Sequence, residues 1–288
     1  MGRKINAFFD GLGRIAKQNM TPDLRARVVS GAVYFLVSAV CVLLSKWTTL
    51  LLMMVTAGIS AAEFYAMLRS DAKLPNEMVG IVAAVLYPAG VFFLDWDGAL
   101  FVAMLLLVAL LVWYVFYLRA RISDVAVSFF GASYTGLLLC GIIMIRCRVP
   151  DFWGGVLVLL VLLSTWANDA FAYLIGSKFG KHKLAPKISP KKSWEGFIAG
   201  LVASVAIWCV ITLVPGVDLD VPMAMLAGLT CGVMGVLGDL AESRMKRNSG
   251  VKDSGTIMPG HGGLLDRTDS LFLVSVTAAI FLVGMHCI

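Results

Sequence analysis

Long apolar runs separated by short polar clusters make up most of this chain, and they fall at about 28–45, 48–68, 78–94, 99–118, 125–145, 153–176, 196–214, 222–241 and 270–287. A helix that crosses a bilayer needs roughly 20 mostly apolar residues. The pattern therefore predicts an all-α, polytopic integral membrane protein with about nine transmembrane helices. Two junctions are tight, one at Lys46 and one at Asp95-Trp96-Asp97. Trp47, Trp96, Trp153 and Trp194 stand near predicted helix ends, where interfacial aromatics belong.

Composition agrees with the pattern. Of 288 residues, 59% are hydrophobic and 15% charged, against roughly 25% charged in a soluble domain. The six cysteines form no CxxC pair and read as apolar packing residues rather than as a zinc site or a disulfide framework. The first apolar run lacks the short core and small-residue cleavage site of a secretory leader, and so reads as a retained span.

The net charge of +6 raises nucleic acid as a partner, but no soluble basic domain exists to carry that role. With the N-terminus in the cytoplasm and nine alternating passes, only Lys46, Arg146 and Arg148 fall outside, and the other 21 of the 24 lysines and arginines fall inside. Such a bias is the positive-inside rule, and it predicts an N-in, C-out chain. Residues 1–27 read as a cytoplasmic amphipathic segment on the membrane surface, with Ile5, Phe8, Phe9, Leu12 and Ile15 at helical spacing. Residues 28–152 read as an N-terminal helical region and 153–288 as the region that carries the chemistry. Two polar stretches, 177–195 and 242–268, are predicted as long cytoplasmic loops, and loops of that length are commonly functional.

Carboxylates inside apolar segments narrow the search. A charge at the bilayer centre costs at least about 2.5–3.5 kcal/mol, so an acid there is a candidate for function. Glu63, Asp169, Asp239 and Asp269 all fall in the half of the membrane nearest the two loops, with Asp169 about 10 Å deep at 1.5 Å per helical residue. Asp266 and Asp269 taken singly also suit N-terminal caps of the last helix, and Glu63 suits a structural ion pair. Asp169 lies mid-segment, where capping gives no explanation.

The second loop places Lys246, Arg247, Lys252 and Arg267 beside Gly260-His261-Gly262-Gly263 and the Asp266/Asp269 pair. Cations and glycine amides suit phosphate, and carboxylates suit a hard divalent ion. Together they predict a metal–polyphosphate site. The first loop adds six lysines; its Gly176 and Gly180 are one residue too close for a P-loop, and His182 stands where Ser or Thr is needed, which excludes that class of ATPase.

The run from Ser243 to Asp269 resembles the signature of phosphatidate cytidylyltransferases (CDP-diacylglycerol synthases), in Lys246-Arg247, Lys252-Asp253, His261-Gly-Gly and Asp266-Arg-x-Asp269. Gly238-Asp239-Leu240-x-Glu242-Ser243 and Gly180 to Gly196 are similar to the same family. Ala170 departs from the usual Ser or Thr, and Met258 from a branched aliphatic or Phe. The resemblance implies a nine-helix homodimer of the inner plasma membrane, with its active site on the cytoplasmic face. It also implies Mg²⁺, with a second, monovalent cation such as K⁺, bound by Asp239, Asp266 and Asp269. The implied substrates are CTP and phosphatidate from the inner leaflet, which join as CDP-diacylglycerol. On this reading Asp239, Asp266, Asp269, Lys192, Lys252 and His261 carry catalysis, while Ser189, Pro190, Lys191, Lys192, Lys246, Arg247, Arg267 and Asp169 bind substrate. Two rivals differ in sequence: a transporter expects midplane acids between inverted repeats, and the paired-Asp motif of CDP-alcohol phosphatidyltransferases is absent.

Overall fold

The computed structural model describes residues 22–69, 74–149, 151–258 and 262–288. Residues 1–21 of the expected amphipathic segment, and His261, lie outside these. The helices are α1 (Pro22–Leu44), α2 (Lys46–Arg69), α3 (Glu77–Phe116), α4 (Ile122–Thr135), α5 (Cys140–Arg148) and α6 (Asp151–Phe179), then α7 (Trp194–Ile211), α8 (Val221–Asn248) and α9 (Leu265–Ala279). One short antiparallel hairpin, β1 (Lys183–Ala185) with β2 (Ser189–Ser193), interrupts them between α6 and α7. The protein is thus an α-helical polytopic membrane protein: among the described residues, seven helices are long and apolar enough to cross a bilayer, and Val29–Leu44 is a shorter apolar one.

Each of the nine expected apolar segments falls on helix, but the third and fourth share α3. That helix is broken at Asp95, whose φ of 57° is left-handed. A Cβ placed on Gly98 would come 2.0 Å from the carbonyl oxygen of Gly90. Residues eight apart along a straight helix are about 12 Å apart, so the arms 77–94 and 96–116 fold back on each other at Asp95. The junction at Lys46 is as tight. Ser45 alone separates α1 from α2, with Ser45 N–H donating to Thr48 Oγ1 and Thr48 N–H to Ser45 Oγ, both at 3.1 Å.

Both expected loops are shorter than the charge pattern suggested. Helix α6 runs on to Phe179. Beyond it lies the β hairpin, whose last residue, Ser193, caps α7 by accepting from Gly196 N at 3.2 Å. Helix α8 continues through its charged last turns to Asn248 and stops at Gly250, with φ +72°. Charge marks where a helix leaves lipid; it does not mark where the helix ends. The four-residue spacing of Gly176 and Gly180, which resembled a truncated phosphate loop, is a helix crossing. It faces Gly196 and Ser193, and a Cβ on Gly196 would meet Ala172 O at 2.4 Å. Small residues at four-residue spacing permit such close backbone approach in membranes.

The stretch Ile122–Arg148 is the most enclosed, with 72% of its most apolar window buried against 17% for α3. It is held to its neighbours by Tyr65 Oη donating to Ser128 O at 2.6 Å and Ser275 Oγ accepting from Ile142 N at 3.0 Å. At one end of the bundle Arg148 pairs with Asp95, and Lys46 lies 5.7 Å from the Phe92 ring. At the other end gather the C-termini of α2, α6 and α8, the N-termini of α7 and α9, and the hairpin.

Candidate active site

The last turns of α8 and the first turn of α9 cross closely, and glycine permits it. A Cβ on Gly238 would stand 2.5 Å from Asp269 O and 3.2 Å from Ser270 Cα. Asp239 and Asp269 are brought to the same place by that crossing. Asp169, on α6, joins them within electrostatic reach, with Lys192 and Arg267 also near. All five line one cavity of about 1220 Å³.

Lys192, the penultimate residue of β2, is aimed inward by the hairpin and its Nζ lies 2.7 Å from Asp239 Oδ2. The other oxygen of Asp239 accepts from Ser243 Oγ at 3.1 Å. Asp269 Oδ1 accepts from Ser270 N at 2.7 Å.

Asp266 is engaged differently. Its Oδ1 lies 2.5 Å from Lys246 Nζ, while Oδ2 accepts from Gly263 N at 2.8 Å and from both Ser254 N and Ser254 Oγ at 3.0 Å. Lys246 also lies 2.5 Å from Glu242 Oε2, and Glu242 is fully buried. Its ammonium therefore sits between two carboxylates of the protein rather than free in the cavity.

The glycine turn does receive anions, but its described part receives those of the protein itself. Gly263 N serves Asp266, and the next two amides, Leu264 N and Leu265 N, serve Glu63 of α2 at 3.0 and 2.7 Å. A Cβ on Gly262 would meet Asp266 Oδ2 at 2.5 Å, and one on Gly263 would meet Glu63 Oε2 at 2.4 Å. Glu63 thus holds a helix N-terminus through backbone amides, where the sequence left it open between a structural ion pair and a functional acid.

Of the residues expected at the site, Asp169, Asp239, Asp266, Asp269, Lys191, Lys192, Lys246 and Arg267 line the cavity. Ser189, Pro190, Arg247 and Lys252 do not, and His261 is outside the described residues. Lys183 and Asp253 line it too, although the sequence reading gave neither a role at the site. Glu242, quoted only within the family-like run, and Ser254 were given no role; the four-residue spacing of Glu242 and Lys246 was the available signal, whereas Ser254 had none. Among the described residues, no group of three or more histidine, cysteine or carboxylate side chains is gathered closely enough to hold a metal ion alone. Asp239, Asp266 and Asp269 do not form such a group.

The rest of the cavity wall is apolar and aromatic, from Tyr34 and Phe35 of α1 with Trp166, Tyr173 and Phe197. Trp166 packs 5.2 Å from Phe35 and 6.0 Å from Tyr34 between ring centroids. Fold and site together define a membrane protein with one large, half-apolar cavity at a bundle end, where lysines and an arginine suit phosphate and carboxylates suit a hard cation.

A family model described as "Cytidylyltransferase family" matches residues 25–285. The chain is 31% identical to the phosphatidate cytidylyltransferase of Bacillus subtilis, over 88% of this chain and 95% of that protein. It is 30% identical to the chloroplastic phosphatidate cytidylyltransferase 5 of Arabidopsis thaliana, over 94% and 74%. A more similar stretch, 46% identical over 126 residues, is shared with the phosphatidate cytidylyltransferase of Haemophilus influenzae and covers 42% and 43% of the two chains. The chain belongs to the cytidylyltransferase family.

Proposed function

We propose that this chain transfers the cytidylyl group of CTP to phosphatidate, forming CDP-diacylglycerol and pyrophosphate. The observation that carries the reading is the cavity itself, whose lining combines Lys192, Arg267, Asp239 and Asp269 with Tyr34, Phe35 and Trp166. A nucleotide needs the first and a lipid the second. The volume of about 1220 Å³ exceeds the roughly 300–1,000 Å³ of an ordinary small-molecule site, in keeping with two substrates held together.

In the reaction an oxygen of the phosphatidate phosphate bonds to the α-phosphorus of CTP as the α–β bridging bond breaks. The bridging oxygen leaves with pyrophosphate. The lipid phosphate is already ionised near pH 7, so no strong general base is required. The barrier lies in bringing two anions together in line, which positioning and fixed charge address. Lys183, Lys191, Lys192 and Arg267 would hold the triphosphate and the charge that grows on its leaving part. Lys246, closed between Glu242 and Asp266, would set the position of Asp266 rather than touch substrate.

Mg²⁺ generally binds through one or two carboxylates with substrate phosphate oxygens completing its shell. Asp239 and Asp269 fit that pattern in chemistry and in facing the cavity, and they would hold the ion. When bound it supplies charge neutralisation at the reacting phosphates. Asp169 faces the same space from α6.

Nine passes with the site on the cytoplasmic side are supported by the fold-back at Asp95 together with the lysine and arginine bias. A homodimer in the plasma membrane is taken from the family resemblance alone. The test of the activity is pyrophosphate release by purified protein given both CTP and phosphatidate. Release from the pair and none from either alone is the expected result; uptake of a solute into liposomes without CTP, and no release, would replace this reading with a transporter.

A further inference from the structure

Glu63 belongs to α2, about 200 residues from the active-site loop in sequence, yet it is 5% exposed and wedged against that loop. Each oxygen takes one amide of the α9 N-terminus: Oε1 from Leu264 at 3.0 Å, Oε2 from Leu265 at 2.7 Å. The helix itself brings no side-chain cap, because its N-cap residue is Leu264. The first amides of a helix have no partner within it, and a negative group is favoured there by the helix dipole. Glu63 meets both needs from another helix.

The contact extends to Asp266. Ser254 Oγ stands 3.4 Å from Glu63 Oε2 and 3.0 Å from Asp266 Oδ2, bridging the two carboxylates. Gly255 and Gly263 are shaped to the acid: a Cβ on either would lie 2.5 or 2.4 Å from a Glu63 oxygen. One turn beyond the capped amides is Asp269, whose backbone packs on Gly238 next to Asp239.

We infer that Glu63 is a positioning residue for the transfer reaction: by capping α9 from α2 it fixes where Asp266 and Asp269 stand relative to Asp239. The inference rests on the proposed role of Asp269. It makes a sharp distinction between side chains of one shape. Glutamine at this position offers one oxygen and one nitrogen, so a donor would face either Leu264 N–H or Leu265 N–H. Aspartate keeps both acceptors but is a methylene short.

The experiment compares wild type, Glu63→Gln, Glu63→Asp, Asp269→Asn and Asp220→Ala as purified full-length proteins. Asp220 caps α8 at the far end of the bundle, accepting from Met223 N at 2.8 Å, and controls for lost stability alone. Because a displacement of about 1 Å costs on the order of 100-fold in rate, Glu63→Gln is expected to lower kcat by roughly 10- to 100-fold. KM for CTP should stay within about twofold, the pattern of a lost transition-state interaction. Hydrogen exchange over residues 264–268 should rise with it, and Glu63→Asp should restore part of kcat. A kcat for Glu63→Gln within twofold of wild type overturns the inference while Asp269→Asn is inactive. So does a loss that only parallels the Tm change, as in Asp220→Ala. Full turnover by Asp269→Asn would remove the underlying site assignment as well.

Discussion

Lys246 lies 2.5 Å from an oxygen of Glu242 and 2.5 Å from one of Asp266, with all three side chains largely closed to solvent. Two carboxylates and one ammonium in a small space are costly unless the geometry is kept. Replacing Lys246 by Met leaves the acids facing each other, and breaking a buried pair typically costs about 3–5 kcal/mol. We expect Lys246→Met to lower Tm sharply in detergent and the double variant with Glu242→Gln to recover part of it. Were Lys246 a free phosphate ligand, as its place in a basic cluster suggested, KM for CTP would rise with Tm unchanged. The sequence offered the Glu242–Lys246 pair through its helical spacing but gave no means of joining Asp266 to it, since that contact depends on a loop folding back over 20 residues. The bond between Glu63 and Leu264 was less visible still. A glycine-rich turn announces that an anion approaches backbone amides; whether the anion is a substrate or the protein's own glutamate depends on a helix 200 residues away.

At the scale of helices, glycines divide into those that permit contact and those that permit a turn. Gly238 and Gly250 are 12 residues apart on and just beyond α8, and alanine should reveal the difference. At Gly238 the added methyl meets backbone of Asp269 and Ser270, which no rotamer change relieves. The helices must separate, and with them Asp239 and Asp269. Gly238→Ala is expected to cut kcat by on the order of tenfold or more, given how steeply rate falls with misplacement. At Gly250 nothing lies within 4 Å of the new methyl. The cost there is the left-handed φ of +72°, about 1–2 kcal/mol for a residue with a Cβ. Gly250→Ala should lower Tm slightly and leave kcat as it is. Helix existence was legible from apolar runs, since lipid imposes their length. Helix ends were not, because α8 carries its hydrogen-bond ladder past the charged residues that end the apolar run, and because a β hairpin of lysines, serines and proline reads as loop.

The whole molecule is organised by alternation of helix ends. Asp95, with its positive φ, turns α3 back on itself, and this single residue decides whether every later helix end points the same way as before. The sequence placed a tight junction there, where two apolar runs meet at Asp95-Trp96-Asp97, and Gly90 against Gly98 supplies the packing that makes it physical. The alternation can be read out chemically. Cys147 is exposed beside Arg148 at the end away from the cavity, while Lys187 lies in the turn of the hairpin at the cavity end. In intact cells a membrane-impermeant maleimide should label Cys147 directly. In a background with Cys41, Cys147 and Cys287 all replaced by Ser, Lys187→Cys should be labelled only after permeabilisation. Labelling of both from one side would contradict the orientation and the fold-back together.

In the proposed reaction Asp239 and Asp269, delivered by two different helices to one cavity, carry cytidylyl transfer. Its most direct test is turnover of radiolabelled CTP with phosphatidate by Asp239→Asn and Asp269→Asn, each shown by Tm and size exclusion to be folded. These substitutions remove a charge and leave shape nearly unchanged. The expected result is a fall in kcat of at least about 100-fold in each, the scale seen when a group that stabilises transition-state charge is lost. Near-normal turnover by both folded proteins would contradict it.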